Sequence, residues 1–189
     1  MGRLGDLTLA TQVAVFGNRQ AFDQLVRQYQ SPVRRFFLSQ SLGDEMLSDD
    51  LAQDTFLKAY THIAQYRGTS SFLTWLTRIA YNVWYDHCRS EKVKKNSERQ
   101  PEDVPSAERK AAASASLFTL HSSLQMDLYS ALGQLKEEER TCITMQLIDG
   151  YAIDEIADIT KMPSGTVKSH LKRGKEKMAN YLRKNGYDR

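Results

Sequence analysis

The amino-acid sequence predicts an all-α protein made of two small helical domains joined by a flexible linker. In residues 20–90 and again in residues 124–159, large apolar side chains recur at three- and four-residue intervals, which places them on one face of an α-helix. No stretch alternates at period two for long enough to indicate a sheet. Residues 94–122 separate the two helical stretches, because they carry two prolines, mixed charge and few large apolar groups.

The composition of the 189 residues is typical of a folded helical protein. Charged residues make up 26% and apolar residues 41%, with 10 Gly and 4 Pro. Cys88 and Cys142 lie far apart without a CxxC partner, so we expect reduced thiols. No apolar run approaches about 18 residues and the N-terminus lacks a secretory apolar stretch, so we expect a cytoplasmic protein without membrane insertion.

The first domain, over residues 1–93, is expected to hold about four helices, including a short one near the N-terminus. Pro32 is expected at the first turn of a helix, where its fixed φ and missing N–H are tolerated. Gly43 breaks the apolar pattern after Leu42, and residues 67–69 break it again before Phe72. Residues 41–60 hold five acidic residues against one lysine, which predicts an acidic helix face.

The second domain, over residues 123–189, is expected to hold three or four short helices and to end in a helix-turn-helix. One amphipathic segment ends near Ile159, a short turn follows, and Pro163 and Ser164 open another helix. Residues 136–160 carry seven acids and two bases, whereas residues 161–189 carry nine bases and two acids. The C-terminal end is therefore the basic pole of the chain.

The last helix has one face for packing and one for a ligand. At about 3.6 residues per turn, one side carries Val167, Leu171, Gly174 and Met178. The other side carries Ser169, Lys172 and Arg173, flanked by Lys168 and Lys175. Arginine and lysine donate to guanine acceptors, serine serves either kind of base edge, and flanking lysines neutralise phosphates. This face predicts contact with the major groove of DNA.

The same stretch resembles the C-terminal domain of sigma factors, in which a Gly-Thr-Val-basic-Ser-x-Leu-x-Arg run forms the helix that reads the minus-thirty-five promoter element. The matching residues are Gly165, Thr166, Val167, Lys168, Ser169, Leu171 and Arg173. The resemblance implies DNA contacts by Lys168, Ser169, Lys172, Arg173 and Lys175. Two departures are Ser164, often apolar in the family, and Thr160-Lys161, where the family often has Leu-Gly. A lysine there is strained if the position needs positive φ.

The first domain resembles the other conserved domain of the sigma-70 family, in the form found in the small extracytoplasmic-function (ECF) group. The matching residues are Asp50, Leu51, Gln53, Thr55, Phe56, Arg67, Gly68, Phe72, Trp75, Leu76, Ile79, Ala80, Asn82, Asp86 and Arg89. The resemblance implies that the break near residue 68 and the following helix read and melt the minus-ten element, with a pocket for an extruded base. The candidate minus-ten contacts are Arg67, Thr69, Ser70, Ser71, Thr74, Trp75, Arg78 and Asn82.

The acidic helix before this break is the expected site of polymerase binding. Its Leu51, Phe56 and Ala59 are available for a core, while Asp50, Gln53 and Asp54 lie outside. In the sigma-70 family this helix docks on a coiled coil of the largest polymerase subunits. The resemblance therefore implies that Asp50, Gln53 and Asp54 contact core RNA polymerase.

The expected partners are core RNA polymerase, promoter DNA and an anti-sigma protein, with the chain working as a monomer within the holoenzyme. No enzymatic activity, metal or other cofactor is expected, because the four histidines are scattered and the sequence has no glycine-rich phosphate loop. The residues alone leave two alternatives. One is an autonomous helix-turn-helix regulator on a two-fold DNA site, and the other is an adaptor that binds polymerase without reading DNA.

Overall fold

The computed structural model describes residues 3–97 and 121–187, and its regular elements are all helical. The first domain consists of α1 (Arg3–Phe16), α2 (Arg19–Gln40), α3 (Glu45–His62), a 3-10 turn (Ile63–Gln65) and α4 (Phe72–Ser97). The second consists of α5 (His121–Gly133), α6 (Glu137–Ile143), a π-helical turn (Thr144–Ile148), α7 (Ile153–Thr160) and α8 (Ser164–Lys184). The predicted all-α class with two helical domains is confirmed.

The predicted linker, residues 94–122, falls mostly on residues 98–120, which lie outside the described residues. The flanking helices α4 and α5 extend into both ends of the predicted segment. Among residues 3–97 and 121–187, none of the helices combines the length and apolarity needed to cross a membrane.

Pro32 lies inside α2 and not at the start of a helix, so that prediction was wrong. Asn18 caps the true start, where its side-chain oxygen accepts hydrogen bonds from the backbone N–H groups of Gln20 and Ala21. Proline cannot donate the backbone bond that a helix needs at its position. The helix nevertheless continues, because Val33 and Phe36 after the proline are buried in the core.

The core of the first domain is built on aromatic side chains. Phe72 is fully buried at the start of α4, and its ring lies 5.2 Å from that of Tyr29 on α2 and 5.2 Å from that of Tyr66. The Tyr29 hydroxyl donates to the buried carboxylate of Asp6 on α1 at 2.7 Å. Burial and this hydrogen bond raise the pKa of Tyr29. Helices α1, α2 and α4 are thus joined at one point beneath the break before α4.

The turn between α2 and α3 confirms the predicted break at Gly43. Leu42 and Gly43 have φ values of 60° and 90°, and a Cβ atom at Gly43 would lie 2.8 Å from the ring of Tyr129 on α5. The absence of a side chain at this position therefore permits both the turn and close contact with the second domain.

The second domain packs α8 against α6 and α7. Its core includes Ile143, Ile156, Val167 and Leu171, which are at most 4% exposed. Gly174 on α8 is also buried, and a Cβ atom there would lie 2.7 Å from Cγ1 of Ile143. The predicted packing face of the last helix is the face that the structure buries.

Candidate nucleic-acid interface

The helix-turn-helix is formed by α7, a three-residue turn and α8. Lys161 begins the turn in the left-handed conformation with φ 61°, the positive value at which lysine is strained. The hydroxyl of Ser164 at the start of α8 donates to the carboxylate of Asp154 on α7 at 3.1 Å. Val167 and Leu171 then fix the packing face of α8, so the opposite face points to solvent.

All five predicted minus-thirty-five contacts are exposed on α8; they are Lys168, Ser169, Lys172, Arg173 and Lys175. The Ser169 hydroxyl donates to the backbone oxygen of Gly165 at 2.9 Å, which leaves its lone pairs available to accept a hydrogen bond. The exposed basic groups give this face the charge that phosphates and guanine acceptors require.

A buried carboxylate, which sequence reasoning missed, anchors one end of this face. Glu139 on α6 is 2% exposed and accepts a hydrogen bond from Lys177 Nζ at 2.6 Å, while Arg173 Nε lies 3.6 Å from it. Burial raises the pKa of Glu139, but the hydrogen bonds from Lys177 and the backbone N–H of Lys136 outweigh burial and leave the pKa lowered. Glu139 therefore stays ionised and forms an ion pair with the Nε edge of the Arg173 guanidinium, whose Nη2 also donates to His170 Nδ1.

A second candidate surface is a cavity of about 570 Å³ between the break before α4 and α4 itself. Six of the eight predicted minus-ten residues line it, namely Arg67, Thr69, Ser70, Trp75, Arg78 and Asn82. Trp75 is partly buried and supplies a flat aromatic wall, and the other five supply polar or charged groups. A cavity with one stacking surface and several hydrogen-bonding groups suits an unpaired nucleobase.

The loop that shapes this cavity is supported by its own residues and by α1. The Tyr66 hydroxyl donates to the backbone oxygen of Ser70 at 3.1 Å. Gly68 has φ 69°, and a Cβ atom there would lie 3.2 Å from the side chain of Leu7 on α1. The loop conformation therefore requires glycine and depends on α1 beneath it.

The other two predicted minus-ten residues do not line the cavity. The Ser71 hydroxyl oxygen accepts a hydrogen bond from the backbone N–H of Thr74 at 3.0 Å and lies 2.7 Å from the Thr74 hydroxyl. Thr74 is only 7% exposed. These two side chains cap the start of α4, which fixes the helix end that forms the cavity wall.

Sequence reasoning missed several cavity residues on α3 and the turn after it. Lys58 and His62 lie one helical turn apart near the end of α3, and both line the cavity with Gln65. His62 Nδ1 lies 2.8 Å from the backbone oxygen of Lys58, which orients the ring. Their spacing of four residues just before the break was the only sequence signal that could have identified them.

A third surface is an apolar groove of about 790 Å³ between α2 and α3. Phe22, Phe56, Leu57 and Tyr60 line it, and the rings of Phe22 and Tyr60 meet edge to face with centroids 5.0 Å apart. Gln53 also lines the groove. The other two predicted polymerase contacts, Asp50 and Asp54, are exposed on the same helix. Sequence reasoning identified the polar positions on this helix but not the apolar groove beside them. Leu57, which lines the groove, is 59% exposed, so part of the apolar lining faces solvent.

The fold and these surfaces define a two-domain helical protein with a C-terminal helix-turn-helix that exposes a basic helix face. Residues 25–93 match the family model described as Sigma-70 region 2, and residues 125–178 match the model described as Sigma-70, region 4. The chain belongs to the sigma-70 family.

Relatives place it in the ECF group of that family. It is 32% identical over 177 residues to the ECF RNA polymerase sigma-E factor of Escherichia coli, covering 87% of each chain. It is 31% identical over 165 residues to the RNA polymerase sigma-H factor of Pseudomonas aeruginosa, covering 85% of each chain.

Two solved structures share its fold. One is CnrH in complex with the cytosolic domain of CnrY, with a TM-score of 0.69, 24% identity, and coverage of 96% of this chain and 99% of the other. The second is the sigma factor RpoE of Bartonella quintana in complex with the anti-sigma factor NepR. It has a TM-score of 0.66, 24% identity, and coverage of 86% and 96%.

Proposed function

We propose that this chain binds core RNA polymerase and directs it to promoters, using a separate domain for each promoter element. Residues 1–93 read and open the minus-ten element, residues 123–189 read the minus-thirty-five element, and residues 94–122 link the two. The observation that carries this proposal is the cavity, because six residues predicted to contact the minus-ten element meet there on a chain that also presents an exposed basic helix.

At the minus-ten element, the cavity takes one base extruded from the duplex. The base stacks on Trp75, a contact worth about 1–3 kcal/mol. Thr69, Ser70 and Asn82 lie where polar groups can bond to the edge of the base. Arg67 and Lys58 supply positive charge for the phosphates on either side.

At the minus-thirty-five element, α8 enters the major groove with its exposed face toward the bases. Arg173 is the best placed residue to read guanine, because the ion pair of Glu139 with its Nε orients the guanidinium. Lys168, Lys172 and Lys175 neutralise phosphates, and the start of α8 adds its unpaired N–H groups.

The groove between α2 and α3 is the proposed docking site for core polymerase. Its apolar lining beside the exposed carboxylates of Asp50 and Asp54 suits an amphipathic helix with basic flanks. Gln53 lies where the apolar and polar parts meet. The partner helix would belong to the coiled coil of the largest polymerase subunits, on which sigma-70 proteins dock.

Regulation by an anti-sigma protein is part of the proposal. RpoE of B. quintana is described in complex with the anti-sigma factor NepR, and CnrH is described in complex with the cytosolic domain of CnrY. Sigma factors act as regulatory subunits, and we propose that this chain has no catalytic activity or cofactor of its own. It would act as a monomer within the holoenzyme, in the cytoplasm where the polymerase works.

Run-off transcription tests the proposed function. Core polymerase without sigma factor is incubated with a genomic fragment library, with and without this protein. New start sites that share two spaced upstream motifs support the proposal. Specific duplex binding by the protein alone, without initiation, supports an autonomous regulator instead. Initiation that survives deletion of α8 with unchanged start sites supports an adaptor that does not read DNA.

Paired variants then test each domain on the promoter so identified. Arg173→Ala should weaken discrimination of the upstream motif by about 1–3 kcal/mol, whereas Lys184→Ala, on the exposed end of the same helix, should not. Asn82→Ala should slow promoter opening without weakening polymerase binding. Asn180→Ala, an exposed asparagine outside the cavity, is its control. Equal behaviour within either pair contradicts the assignment.

A further inference from the structure

Arg173 is exposed on α8 beside a carboxylate whose two oxygens have different partners. Oε2 of Glu139 accepts hydrogen bonds from Lys177 Nζ at 2.6 Å and from the backbone N–H of Lys136 at 3.1 Å. Oε1 lies 3.6 Å from Arg173 Nε. Because Glu139 is only 2% exposed, its carboxylate is fixed by the packing of α6 and gives Arg173 a stationary anionic partner.

A histidine three residues before Arg173 supplies a second contact. Arg173 Nη2 lies 3.3 Å from His170 Nδ1. A guanidinium has N–H donors and no acceptor, so His170 Nδ1 must accept this hydrogen bond. The ring is therefore neutral in this arrangement and carries its proton on Nε2. His170 is half-buried, so its ring has less freedom than an exposed side chain on the same helix.

The two contacts leave a defined part of the Arg173 guanidinium free. Nε faces Glu139, and one Nη2 proton is donated to His170. The remaining N–H donors lie at the Nη1 and Nη2 end, where one from each nitrogen can bond O6 and N7 of a single guanine. An unrestrained arginine loses rotamer entropy when it binds, and these contacts have already removed part of that entropy.

The contact with His170 depends on the charge of its ring. Protonation places a proton on Nδ1, so the ring no longer accepts from Arg173 and two cations lie side by side. Histidine is the side chain whose charge ordinarily changes between pH 5 and 8. A fall in pH through this range therefore releases the guanidinium from one of its two contacts.

Acidic groups on three helices face α8. Glu139 on α6 shares Arg173 with His170. Asp154 on α7 accepts a hydrogen bond at the start of α8, and Asp127 on α5 accepts one from the chain beyond its end. Since the pKa of Glu139 is lowered, its carboxylate remains ionised while a histidine gains its proton. The carboxylate contact with Arg173 is thus constant in this range, and the histidine contact is the one that changes.

We propose that Glu139 and His170 are positioning residues that hold Arg173 with its Nη1 and Nη2 end toward a guanine, and that full discrimination of this base requires neutral His170. The inference rests on the proposed role of α8 at the minus-thirty-five element. Protonated His170 adds a positive charge near DNA phosphates, so lower pH weakens discrimination without weakening total DNA affinity. A merely structural role would weaken binding to all DNA.

Nitrogen NMR on the full-length free protein tests the contact itself. At about pH 8, we expect long-range 1H–15N spectra to show His170 with its proton on Nε2. Arg173 Nε should give a resolved signal, because its side chain is held. That signal should broaden at about pH 6 and in His170→Leu at both pH values. The spectrum of Arg173→Lys assigns the signal, because the variant lacks it.

Competition binding by the holoenzyme tests the consequence for DNA. Two promoter fragments are compared that differ only at the guanine whose discrimination Arg173→Ala removes. From about pH 8 to about pH 6, the preference for guanine should fall about two- to fivefold. Affinity for a fragment without the upstream motif should stay equal or rise. The ratio of two affinities measured at one pH cancels the titration of other groups in polymerase.

Three variants separate the histidine contact from other effects of pH. His170→Gln keeps a neutral acceptor, so guanine discrimination should be retained and should no longer depend on pH. His170→Leu removes the acceptor and should show the weaker preference at both pH values. His87→Gln is the control, because it replaces a half-buried histidine whose ring lies 5.8 Å from that of Trp84 in the first domain, and it should keep the pH dependence. Circular dichroism should show equal helix content in all three.

Three results would overturn the proposal. One is His170 with its proton on Nδ1 alone at about pH 8, and another is an equal guanine preference at both pH values. The third is a His170→Gln variant that keeps the pH dependence of the unchanged protein. The NMR measurement requires neither polymerase nor a promoter. A wrong tautomer therefore refutes this inference even when run-off transcription succeeds, whereas failed run-off transcription refutes the proposed function whatever the tautomer.

Discussion

Gly174 allows the sharpest prediction about stability, because the structure opposes helix propensity at this position. Alanine in place of glycine inside a helix normally stabilises by about 0.5–1 kcal/mol. At Gly174, however, the new Cβ would lie 2.7 Å from Cγ1 and 3.2 Å from Cδ1 of Ile143. Ile143 is 1% exposed and cannot move aside without disturbing the core. Overpacking of this kind costs about 1–3 kcal/mol.

We therefore expect Gly174→Ala to be destabilised by about 0.5–2 kcal/mol. For a domain of this size such a loss lowers the melting temperature by about 4–8 °C per kcal/mol. Urea unfolding followed by circular dichroism measures it. Gly165→Ala on the same helix is the matched control, because a Cβ there meets nothing within 4 Å and should be neutral or stabilising. If Gly174→Ala were as stable as Gly165→Ala, the packing of α8 on α6 described above would be wrong.

Three further predictions concern single buried or strained groups. Since the pKa of Glu139 is lowered in the folded state, its ionised form stabilises the protein above about pH 4.3, and this stability is lost as pH falls through the lowered pKa. Glu139→Gln should therefore lower stability at neutral pH and flatten the acid limb of a stability–pH curve, while Glu138→Gln, an exposed neighbour, should do neither. Lys161→Gly should stabilise by about 0.5–1 kcal/mol because φ is 61° there, and Gly150→Ala, at φ 77°, should change urea midpoints in the opposite direction. Tyr29→Phe should destabilise by about 1–3 kcal/mol because it removes a donor from the buried carboxylate of Asp6, whereas Tyr85→Phe, exposed on α4, should leave thermal unfolding unchanged.

Periodicity and breakers predicted the helices and their order, because both depend on local sequence. The prediction failed at Pro32, where local preference favours a helix start but the buried side chains of Val33 and Phe36 keep α2 continuous. Packing energy from several side chains exceeds the loss of one backbone hydrogen bond. Such an outcome depends on tertiary contacts that the sequence pattern does not contain.

Candidate site residues were predictable on α8 and around the break before α4, but not on the other helices that pack against these segments. The exposed face of α8 followed from helix geometry alone. Lys58 and His62 join the cavity only because α3 ends against the break before α4. Glu139 lies in a run of three acidic residues that reads as solvent-exposed, and only the packing of α6 against α8 shows that it is buried.

The role proposed for α8 at the minus-thirty-five element, with binding and packing on opposite faces of the helix, has a consequence for how new promoter preferences arise. Lys168, Ser169 and Lys172 touch solvent, whereas Val167, Leu171 and Gly174 carry the packing of the domain. Exchanges among the first three leave the core intact, so duplicated copies of such a gene are able to diverge in target choice while remaining folded. The same division marks these positions for engineering orthogonal transcription circuits, with a library confined to the outward face of one helix.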